Sequence, residues 1–552
     1  MSALDYAVII VFSLGILAAG LALSDRRANM TSFFAAGGAV PWWMNGLSLY
    51  MSFFSAGTFV VWGSIAYEHG WVAIVIQWTM AIGGFLIGYF IAPRWKEMGV
   101  LTAAEFIHRR FGPGVQKFYT YVFLLMSFAY SGAFLYPVAR LVNVSTGFPI
   151  TYAIILFGVM SILYTTSGGL LAVIVTNVLQ FVVLTAAVII IVPLAFETVG
   201  GMEGFINGAP DGFFNFFNQE YSLWFMIAFG FYNMVFIGGN WAYVQRYTSV
   251  LDKPAARKVG YLFGALYLIS PVIWMLPPMI FRLTGQDLSG LENEGAYLLM
   301  CKQVLPAGIL GLMITGMVFA TTDSVNSSLN VSAAVFTNDI YKNLRPAASN
   351  RSLMLSARLS TVAFGVITIL TALLVPHAGG IVEVVLSIGA LTGVALYGPP
   401  IWALFSRRQT AYSIYFSTIA SLAVNLFFKF LTPWLFGLTL DRTQEMVLGV
   451  SLPLVLLTFF EVIYALRGQQ AGAVIPDPRA AAVHAPEHPE KEGGARNKLA
   501  IRVIGVTLLC TGALIFFLGC IASSGRIPVL SVALGIMLLA VYLLRKSSGR
   551  LA

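Results

Sequence analysis

The amino-acid sequence predicts an all-α polytopic membrane protein. The chain of 552 residues is 58% hydrophobic and only 10% charged, whereas soluble globular proteins carry about 25% charged residues. The apolar residues also occur in blocks of about 20, which is the length that an α-helix needs to cross a bilayer. The lysines and arginines collect in alternate connecting loops, as they do in multi-pass membrane proteins.

Apolar length and turn residues place about fifteen transmembrane helices in the chain. In chain order, the predicted spans cover residues 4–23, 42–66, 71–93, 117–140, 149–166, 168–197, 221–245, 257–281, 303–337, 353–376, 380–405, 410–435, 443–466, 499–521 and 526–545. The stretch 468–498 is rich in Ala, Pro and charged residues, and it is predicted to be a flexible cytoplasmic linker before the last two spans.

The distribution of basic residues predicts the orientation. With the N-terminus outside and the spans alternating, all of the 32 lysines and arginines fall inside except Arg140, Arg282, Lys302, Lys429, Arg442 and Arg526. The protein is therefore expected in the plasma membrane, or in the inner membrane of a bacterium, with its C-terminus in the cytoplasm. This topology accounts for the net charge of +9, and no nucleic-acid partner is expected.

Other function classes find little support in the sequence. The chain contains no GxxxxGK[ST] loop and no cytoplasmic stretch long enough for a nucleotide-binding domain, which argues against an ATP-driven pump. The histidines are dispersed over both sides, so no catalytic residues are predicted and the protein is not expected to be an enzyme. A channel and a sensor that has lost transport remain as alternatives, although the sequence has no soluble signalling domain.

Two spans contain residues that favour an interruption of the helix. In the second span, the run from Ser48 to Thr58 is rich in small and hydroxyl residues, and in the seventh span Gly238 and Gly239 precede the polar residue Asn240. Interrupted helices in the two halves of a membrane protein are typical of the substrate and ion site of a secondary transporter. The alternative is that these small residues only permit close packing of helices.

The ninth span contains a carboxylate deep in an apolar segment, at Asp323. An aspartate at the centre of a membrane helix costs about 2.5–3.5 kcal/mol on insertion scales, and no lysine or arginine is predicted at a similar depth. Asn326 and Ser327 share a helix face with Asp323, and a hard cation prefers several oxygen ligands. The sequence therefore predicts a cation or proton site here, with simple hydrogen bonding between helices as the alternative.

Polar and aromatic side chains in three spans are candidates for contact with a solute. They are Thr58 in the second span, Gln77 and Trp78 in the third, and Asn240 and Tyr243 in the seventh. Amide groups offer donors and acceptors to a neutral polar solute, and aromatic rings can stack on it. No basic residue is placed to meet a carboxylate, which favours a neutral solute such as a sugar, although the N-terminus of a half-helix can also bind an anionic group.

Short motifs within residues 4–467 resemble the sodium/solute symporter family, whose members carry sugars, proline, pantothenate, iodide, monocarboxylates or sialic acid. The motifs are Asp5-Tyr6, Ser32-Phe33-Phe34-Ala35-Ala36-Gly37-Gly38, Thr102-Ala103-Ala104-Glu105-Phe106, Arg109-Arg110-Phe111, Thr166-Ser167-Gly168-Gly169-Leu170, Gln245-Arg246 and Phe336-Thr337-Asn338-Asp339-Ile340-Tyr341-Lys342. Each motif is weak alone, and the resemblance rests on their order and spacing.

The resemblance implies the leucine-transporter fold, which is a 5+5 inverted repeat with alternating access. The expected segments are an N-terminal extra span and loop at 1–41, a first repeat at 42–197, a second repeat at 198–405, two additional spans at 406–467, the linker at 468–498 and a terminal pair of spans at 499–552. The implied function is a secondary active symporter that couples sodium influx to uptake of a small solute in the lipid bilayer, with no obligate protein partner.

The resemblance also implies a sodium site between the second and ninth spans. Its ligands would be the carbonyl oxygens of Met51, Phe54 and Ala320 and the side chains of Asp323 and Ser324. The family usually has two hydroxyl residues where this chain has Asp323-Ser324, and it has an acidic residue in the sixth span where this chain has Asn177.

These two departures lead to the hypothesis that a negative charge has moved from the sixth span to the ninth, which would preserve cation binding. Asn177, Asn326 and Ser327 form a candidate second cation site. The same departures leave a proton-coupled symporter as an alternative. The positions aligned with sugar contacts in the sugar-transporting branch are Thr58, Gln77 and Asn240; of these only Asn240 matches in type, so the resemblance does not identify the solute.

Overall fold

A computed structural model of the chain describes residues 1–22, 40–100, 102–164, 170–285, 287–341, 344–345, 349–469, 489–522 and 524–547. Inside these ranges, the side chains of some helical residues, Asp323 and Ser327 among them, lie outside the described part, as does most of the linker at 468–498. The described residues are mainly helical and contain no β-strand, in agreement with the predicted all-α class.

The α-helices of the first half of the chain are α1 (Ala3–Ala22), α2 (Trp42–Met51), α3 (Gly63–His69), α4 (Val72–Leu86), α5 (Ala92–Glu97), α6 (Ala103–Phe111), α7 (Pro113–Thr146), α8 (Ile150–Tyr164), α9 (Leu170–Glu197), α10 (Gly201–Gly208), α11 (Leu223–Gly239) and α12 (Trp241–Thr248). The second half contains α13 (Lys253–Trp274), α14 (Leu276–Arg282), α15 (Ala296–Val304), α16 (Ile309–Val335), α17 (Asn350–Leu374), α18 (Ile381–Phe405), α19 (Ala411–Leu426), α20 (Thr432–Phe436), α21 (Arg442–Leu466), α22 (Pro489–Ile521) and α23 (Arg526–Ser547). Segments of π-helix lie at Thr58–Trp62, Ile87–Ile91, Phe336–Tyr341 and Phe427–Leu431, and 3₁₀-helices lie at Gly290–Gly295 and Val375–Ala378.

The lengths of these helices suit a multi-pass membrane protein. Among the described residues, 11 helical segments are long and apolar enough to cross a membrane, and the count reaches 12 if the bent pair α11–α12 is one span. The described apolar parts of α1 and α8, Ala3–Ile16 and Ile150–Ile162, are shorter. The second predicted span is divided into α2, the π-helical segment Thr58–Trp62 and α3.

Capping side chains mark the starts of two predicted spans. The Asp441 carboxylate accepts a hydrogen bond from the amide of Gln444 at 2.8 Å, and the Gln444 side chain accepts one from the amide of Asp441 at 3.0 Å. Thr410 and Ser413 form a second capping box at the start of α19. Each box satisfies amides that have no partner inside their own helix, so α19 and α21 begin where the turn residues of the sequence place them.

Glycines allow α4, with the π-helical turn that follows it, to pack on α13 backbone to backbone. A Cβ atom added at Gly84 would lie 2.8 Å from the amide nitrogen of Gly264, and one added at Gly260 would lie 2.5 Å from the Cα atom of Gly88. The two glycines of each helix are four residues apart and so share one face. This small-xxx-small arrangement lets membrane helices gain dispersion contacts between their backbones.

The glycine-packed pair supports both interrupted spans. α2 packs against α13, and α11 packs against α4. A second layer lies on the other side of α2, where α9 packs on α2 and α16 packs on α1, α7, α9 and α17. The interrupted second span is therefore held between the glycine-packed pair and the layer that contains α9 and α16.

The C-terminal pair α22–α23 packs on the body of the protein through α9 and α1. A Cβ atom added at Gly525 would lie 2.9 Å from the side chain of Leu194, and one added at Gly308 would lie 2.6 Å from the side chain of Leu518. These close approaches join the pair to α9 and to the start of α16.

Several basic residues that the predicted orientation places outside have partners in the folded chain. Arg140 lies 3.6 Å from Glu294, Arg282 lies 3.3 Å from Asp287, Lys429 lies 2.9 Å from Glu383, Arg442 lies 3.1 Å from Glu383, and Lys302 donates to the carbonyl oxygen of Val144 at 3.1 Å. These contacts give the charged groups partners within the folded chain.

Replacing Gly260 by alanine should destabilise the fold, because overpacking at a close contact costs about 1–3 kcal/mol. Gly535 in α23 is the matched control, since an added Cβ atom there has no neighbour within 4 Å and alanine raises helix propensity at both sites. We expect a lower midpoint of thermal unfolding in detergent for Gly260→Ala than for the wild type, and no loss for Gly535→Ala. Equal midpoints in the two variants would contradict a tight contact between α4 and α13.

Candidate functional site

The second predicted span is interrupted between α2 and the π-helical segment. The amides here donate to side chains and not to the carbonyls four residues earlier. The amide of Ser55 donates to the hydroxyl of Thr58 at 3.2 Å, and the amide of Ala56 donates to the hydroxyl of Thr321 at 2.8 Å. The amide of Gly57 donates to the hydroxyl of Ser55 at 3.2 Å. Hydroxyl groups therefore replace main-chain carbonyls as acceptors in this turn.

Carbonyl oxygens are released by this exchange. In a regular helix the Met51 carbonyl would accept from the amide of Ser55, which instead donates to Thr58. The Phe54 carbonyl would accept from the amide of Thr58, which instead donates to the carbonyl of Ser55 at 3.0 Å. Both carbonyls, which the sequence analysis assigned to the sodium site, thus lose their helical partners and can serve as ligands of a hard cation.

α16 faces this turn with hydroxyl groups. Besides accepting from Ala56, Thr321 donates to the Met317 carbonyl at 2.8 Å and is fully buried. Ser324 donates to the Ala320 carbonyl at 3.4 Å. The side chain of Asp323 lies outside the described residues. Ala320 and Ser324 therefore lie on the helix whose Thr321 side chain contacts the interrupted span.

The residues of the candidate second cation site are distributed over two helices. Asn177 of α9 donates to the hydroxyl of Ser48 in α2 at 3.1 Å, so it contacts the interrupted span directly. Asn326 of α16 is 9% exposed, and neither of its side-chain polar atoms has a hydrogen-bond partner among the described residues. Ser327 belongs to the side chains outside the described part.

The seventh predicted span is interrupted at Asn240. α11 ends at Gly239, Asn240 has an extended conformation, and α12 leaves at an angle of 63°. The Asn240 side chain accepts from the amide of Ala242 at 3.0 Å and donates to the Tyr397 hydroxyl at 3.2 Å. The break thus follows the predicted Gly238-Gly239 pair by one residue, because Asn240 caps the second half-helix.

Gly238 and Gly239 serve close packing. A Cβ atom at Gly238 would lie 2.9 Å from the side chain of Ile91, and one at Gly239 would lie 2.9 Å from the side chain of Ile401. The alternative considered from the sequence, that these glycines permit helices to approach, describes their contacts better than unwinding does.

A central cavity of about 120 Å³ lies between the two interrupted spans. Its lining residues are Ser52, Phe53, Ser55, Gly57, Thr58, Val61, Trp62, Met80, Tyr130, Ala133, Phe134, Pro137, Phe229, Tyr232, Asn233, Phe236, Tyr243, Tyr267, Val385 and Ile388. Hydroxyl groups and one amide supply the polar part of this lining, and none of the described lining residues is charged. Aromatic rings supply much of the rest, with Phe53 and Tyr243 at 4.7 Å between ring centroids.

Two of the residues expected to contact a solute line this cavity, namely Thr58 and Tyr243. Gln77, Trp78 and Asn240 are not among its lining residues. Gln77 donates to the Ala73 carbonyl of its own helix at 3.3 Å, and Trp78 donates to the Leu268 carbonyl at 3.0 Å. Asn240 is engaged in capping α12, as described above.

Tyr130, Tyr232, Asn233 and Tyr267 line the cavity but were missed by the sequence analysis. Asn233 donates to the Thr79 hydroxyl at 3.2 Å. A signal was available in the sequence for part of this set, because Tyr232 and Asn233 are adjacent polar residues within the otherwise apolar stretch that forms α11. The contribution of Tyr130 and Tyr267 depends on tertiary packing and has no such signal.

A second cavity of about 240 Å³, named here the charged cavity, lies where α18 and α21 begin. It is lined by Glu220, Glu383, Leu386, Ser387, Ala390, Lys429, Leu440, Arg442, Glu445 and Met446. Lys429 contacts Glu383 at 2.9 Å and Glu445 at 2.8 Å. Arg442 contacts Glu383 at 3.1 Å and also binds Glu220. This network ties together the connection before α11, the helices α18 and α21, and the π-helical segment Phe427–Leu431 that follows α19.

The first turns of α18 separate the two cavities. Val385 and Ile388 line the central cavity, whereas Leu386 and Ser387 line the charged cavity. A displacement of this end of α18 would therefore change both cavities, and the ion pairs of Glu383 oppose such a displacement.

Glu220 joins the network to the end of α3. It lies 3.2 Å from the His69 ring nitrogen. The hydrogen bond from His69 and the neighbouring Arg442 guanidinium hold the pKa of the Glu220 carboxyl below its usual value.

The model of the sodium:solute symporter family matches residues 33–420, the greater part of the 552-residue chain. This chain belongs to the sodium:solute symporter family. It is thus a multi-pass membrane transporter in which sodium is the coupling ion and a small solute is carried, and this confirms the secondary symporter expected from the sequence.

Relatives of this symporter extend over most of its length. It is 27% identical over 473 residues to the sodium/glucose cotransporter of Vibrio parahaemolyticus, covering 78% of this chain and 86% of that protein. It is 25% identical over 477 residues to the sodium/glucose cotransporter 1 of Mus musculus, covering 77% and 71%. It is 26% identical over 443 residues to the sodium/sialic acid symporter NanT of Aliivibrio fischeri, covering 77% and 88%.

Solved structures show the same fold in the symporter. A substrate-bound, outward-open Na⁺-coupled sialic acid symporter superposes with a TM-score of 0.69 at 23% identity, covering 84% of this chain and 98% of that one. A nucleobase-cation-symport-1 family transporter in a closed conformation gives a TM-score of 0.51 at 13% identity, covering 83% and 99%. At these identities the likeness concerns the fold alone.

The contribution of Glu220 to stability should depend on pH. Because its pKa is lower in the folded protein, its stabilising effect is complete above the unfolded value of about 4.3 and is lost as the pH falls through the lower folded value. We expect Glu220→Gln to lower the midpoint of thermal unfolding at pH 7, with the difference from the wild type shrinking below about pH 4. Glu203→Gln, at an exposed site in α10, is the control; a difference for Glu220→Gln that persists at low pH would contradict the ion-pair explanation.

Proposed function

We propose that this symporter uses the sodium gradient to take up a neutral polyhydroxylated solute, such as a sugar, by alternating access. The observation that supports this most directly is the central cavity between the two interrupted spans, whose described lining offers hydroxyl groups, an amide and aromatic faces but no charged side chain. A carboxylate-bearing solute would need a compensating positive group at such a site, and no described side chain of the lining supplies one. Hydroxyl groups of a neutral solute can be satisfied by the groups present, and its apolar face can stack on the aromatic rings.

The sodium ion is proposed to lie between the interrupted second span and α16. Its ligands would be the carbonyl oxygens of Met51, Phe54 and Ala320 and the side chains of Asp323 and Ser324. The loss of helical partners at Met51 and Phe54 supports this set, because a buried carbonyl oxygen needs either a hydrogen-bond donor or a cation. The hydrogen bond between Ala56 and Thr321 keeps the two elements in register.

A second cation position is proposed among Asn177, Asn326 and Ser327. The buried, unpartnered amide of Asn326 supports it, since buried polar groups normally have a hydrogen-bond partner. Asn177 supports it through contact with Ser48 of the interrupted span. The charge that the family usually carries near Asn177 would be supplied here by Asp323.

Solute contacts are proposed for Thr58 and Tyr243, with Tyr232 and Asn233 added because they line the same cavity. Gln77, Trp78 and Asn240 would reach the solute only in a conformation in which their present hydrogen bonds are exchanged. Asn240 would then act mainly by fixing the direction of α12.

The membrane arrangement is also a proposal. The two shorter apolar helices and the divided second span, added to the long apolar segments, would give about fifteen spans. Residues 42–197 and 198–405 would form the 5+5 inverted repeat of the leucine-transporter fold, flanked by the segments 1–41, 406–467, 468–498 and 499–552. The N-terminus would lie outside and the C-terminus in the cytoplasm of a cell whose plasma membrane holds the protein.

The driving force is sufficient for accumulation. Moving one sodium ion across about 100 mV releases about 2.3 kcal/mol, which supports roughly 50-fold accumulation of a neutral solute. Release of the solute to one side at a time would require the cavity wall formed by α18 to move. The ion pairs at Glu383 supply a barrier against premature opening on the side of the charged cavity.

Uptake by proteoliposomes should depend on sodium and on Asp323. We expect transport of a labelled solute to fall to the passive level when sodium is replaced by choline, and to change little between pH 6 and pH 8 at constant sodium. Asp323→Asn should abolish sodium dependence, because the site would lose its only proposed charge. Uptake that persists in choline and follows a pH gradient would favour the proton-coupled alternative, and wild-type sodium dependence in Asp323→Asn would refute the relocation of charge.

The class of solute can be tested by thermal stabilisation of the purified symporter. We expect glucose or galactose to raise the unfolding midpoint in sodium and to have a smaller effect in choline, because the sodium site adjoins the cavity. N-acetylneuraminate, which carries a carboxylate, should have no effect. Tyr243→Ala should remove the sugar response, with Tyr542→Ala on the exposed face of α23 as the control. Stabilisation by N-acetylneuraminate alone would show that the solute is anionic.

A further inference from the structure

Asp5 is a buried carboxylate that has no part in the proposed cation and solute sites. It lies in the first turn of the apolar helix α1 and is 3% exposed. A charged group in such surroundings is tolerated only when hydrogen bonds replace the water that it has lost. Its contacts therefore indicate what the residue holds in place.

The Asp5 carboxylate binds the N-terminal end of α16. One oxygen accepts from the amide of Gly308 at 2.7 Å and from the amide of Gly311 at 3.1 Å. The other oxygen accepts from the amide of Ser2 at 2.7 Å and from its hydroxyl at 2.9 Å. Charge-assisted hydrogen bonds to free amides at a helix N-terminus are strong, and the negative charge also complements the helix dipole.

Close packing at the same place restricts movement of α16 along its axis. A Cβ atom added at Gly311 would overlap the carbonyl oxygen of Asp5. Gly308 has a φ of +89° and approaches Leu518 of α22, where an added Cβ atom would lie 2.6 Å from that side chain. Helices α1, α16 and α22 therefore meet at the first residues of α16.

α16 transmits this attachment to the cation site. It is a continuous helix from Ile309 to Val335, so Thr321 lies about 15 Å beyond Gly311 along the axis. Thr321 accepts the hydrogen bond from Ala56 in the interrupted span at 2.8 Å. Because cation–oxygen distances tolerate only a few tenths of an ångström, an axial shift of about 1 Å would separate Ala320 from the carbonyls of the interrupted span.

We propose that Asp5 is a positioning residue for the coupling cation: by binding the amides of Gly308 and Gly311, it sets the axial position of α16 and thereby the alignment of Ala320 and Ser324 with the interrupted second span. The first helix is then part of the transport machinery, acting through α16 and without contact with either cargo. This inference rests on the proposed location of the sodium site.

A role in stability alone would give a different result from a role in positioning. Loss of a simple anchor would lower the unfolding midpoint and leave the sodium affinity of the folded protein unchanged. Loss of a positioning contact would raise the sodium concentration needed for binding, because the ligands of α16 would be displaced in the folded protein. Sodium affinity is therefore the measurement that separates the two roles.

The test is binding of radiolabelled sodium to the purified full-length protein by scintillation proximity, with choline as the balancing salt. We expect Asp5→Ala and Gly311→Ala to raise the half-saturating sodium concentration by about fivefold or more. Asp5→Asn should have a smaller effect, because its amide oxygen can still accept from Gly308 and Gly311. Gly15→Ala, at a site in α1 with no atom within 4 Å of an added Cβ, should bind sodium as the wild type does.

The outcomes distinguish this inference from the proposed sodium site itself. If the wild type binds sodium and the folded Asp5→Asn and Gly311→Ala proteins bind it at the same concentration, Asp5 is only an anchor, whatever happens to the unfolding midpoint. If Asp5→Ala does not fold, Gly311→Ala decides the question, because Asp5→Asn keeps an acceptor for both amides. If the Asp323→Asn and Thr321→Val variants bind sodium with the same affinity as the wild type, the proposed location of the sodium site is wrong. The proposed role of Asp5 is then wrong as well.

Discussion

The hydrogen bond from the Ala56 amide to the Thr321 hydroxyl is the contact on which the arrangement of the site depends. A main-chain amide inside a membrane protein must find an acceptor, and at 2.8 Å Thr321 supplies one from a different helix. With that amide satisfied, the second span can leave its helical path without an energetic penalty for an orphan donor. The interruption then releases the carbonyl oxygens of Met51 and Phe54 from their helical donors, and residues of the interrupted turn line the central cavity.

The two cavities differ in the charge of the side chains that line them. The described lining of the central cavity contains only neutral side chains, whereas the charged cavity beside it holds carboxylates, a lysine and an arginine in mutual contact. Paired ions of this kind contribute modestly to stability when they are partly exposed. They nevertheless impose a geometry, because Arg442 must lie between Glu220 and Glu383. The start of α18, which divides the cavities, thus forms ion pairs on the side of the charged cavity. On the side of the central cavity it lies among aromatic side chains.

The sequence was informative where a property belongs to a single helix. Apolar length identified the membrane segments, and the hydroxyl-rich run around Ser52 and Ser55 indicated the interruption of the second span. It was less informative where a property belongs to the contact between helices. Gln77 and Asn240 are polar residues in apolar spans, as is Asn233, yet only Asn233 lines the cavity, because the rotation of each helix is set by its neighbours. Gly238 and Gly239 marked the correct region for the second break, but the residue that allows it is Asn240, whose side chain caps the following helix.

The glycine contact between α4 and α13 has a mechanical consequence. The backbones of the two helices are in contact at Gly84, Gly88, Gly260 and Gly264, with no side chains between them. This close packing opposes sliding of one helix along the other, so the pair is expected to move as one rigid body. One interrupted span is packed on each member of this pair. The two interrupted spans that line the central cavity are therefore attached to one pair of helices, and a tilt of that pair would turn both spans together relative to α16.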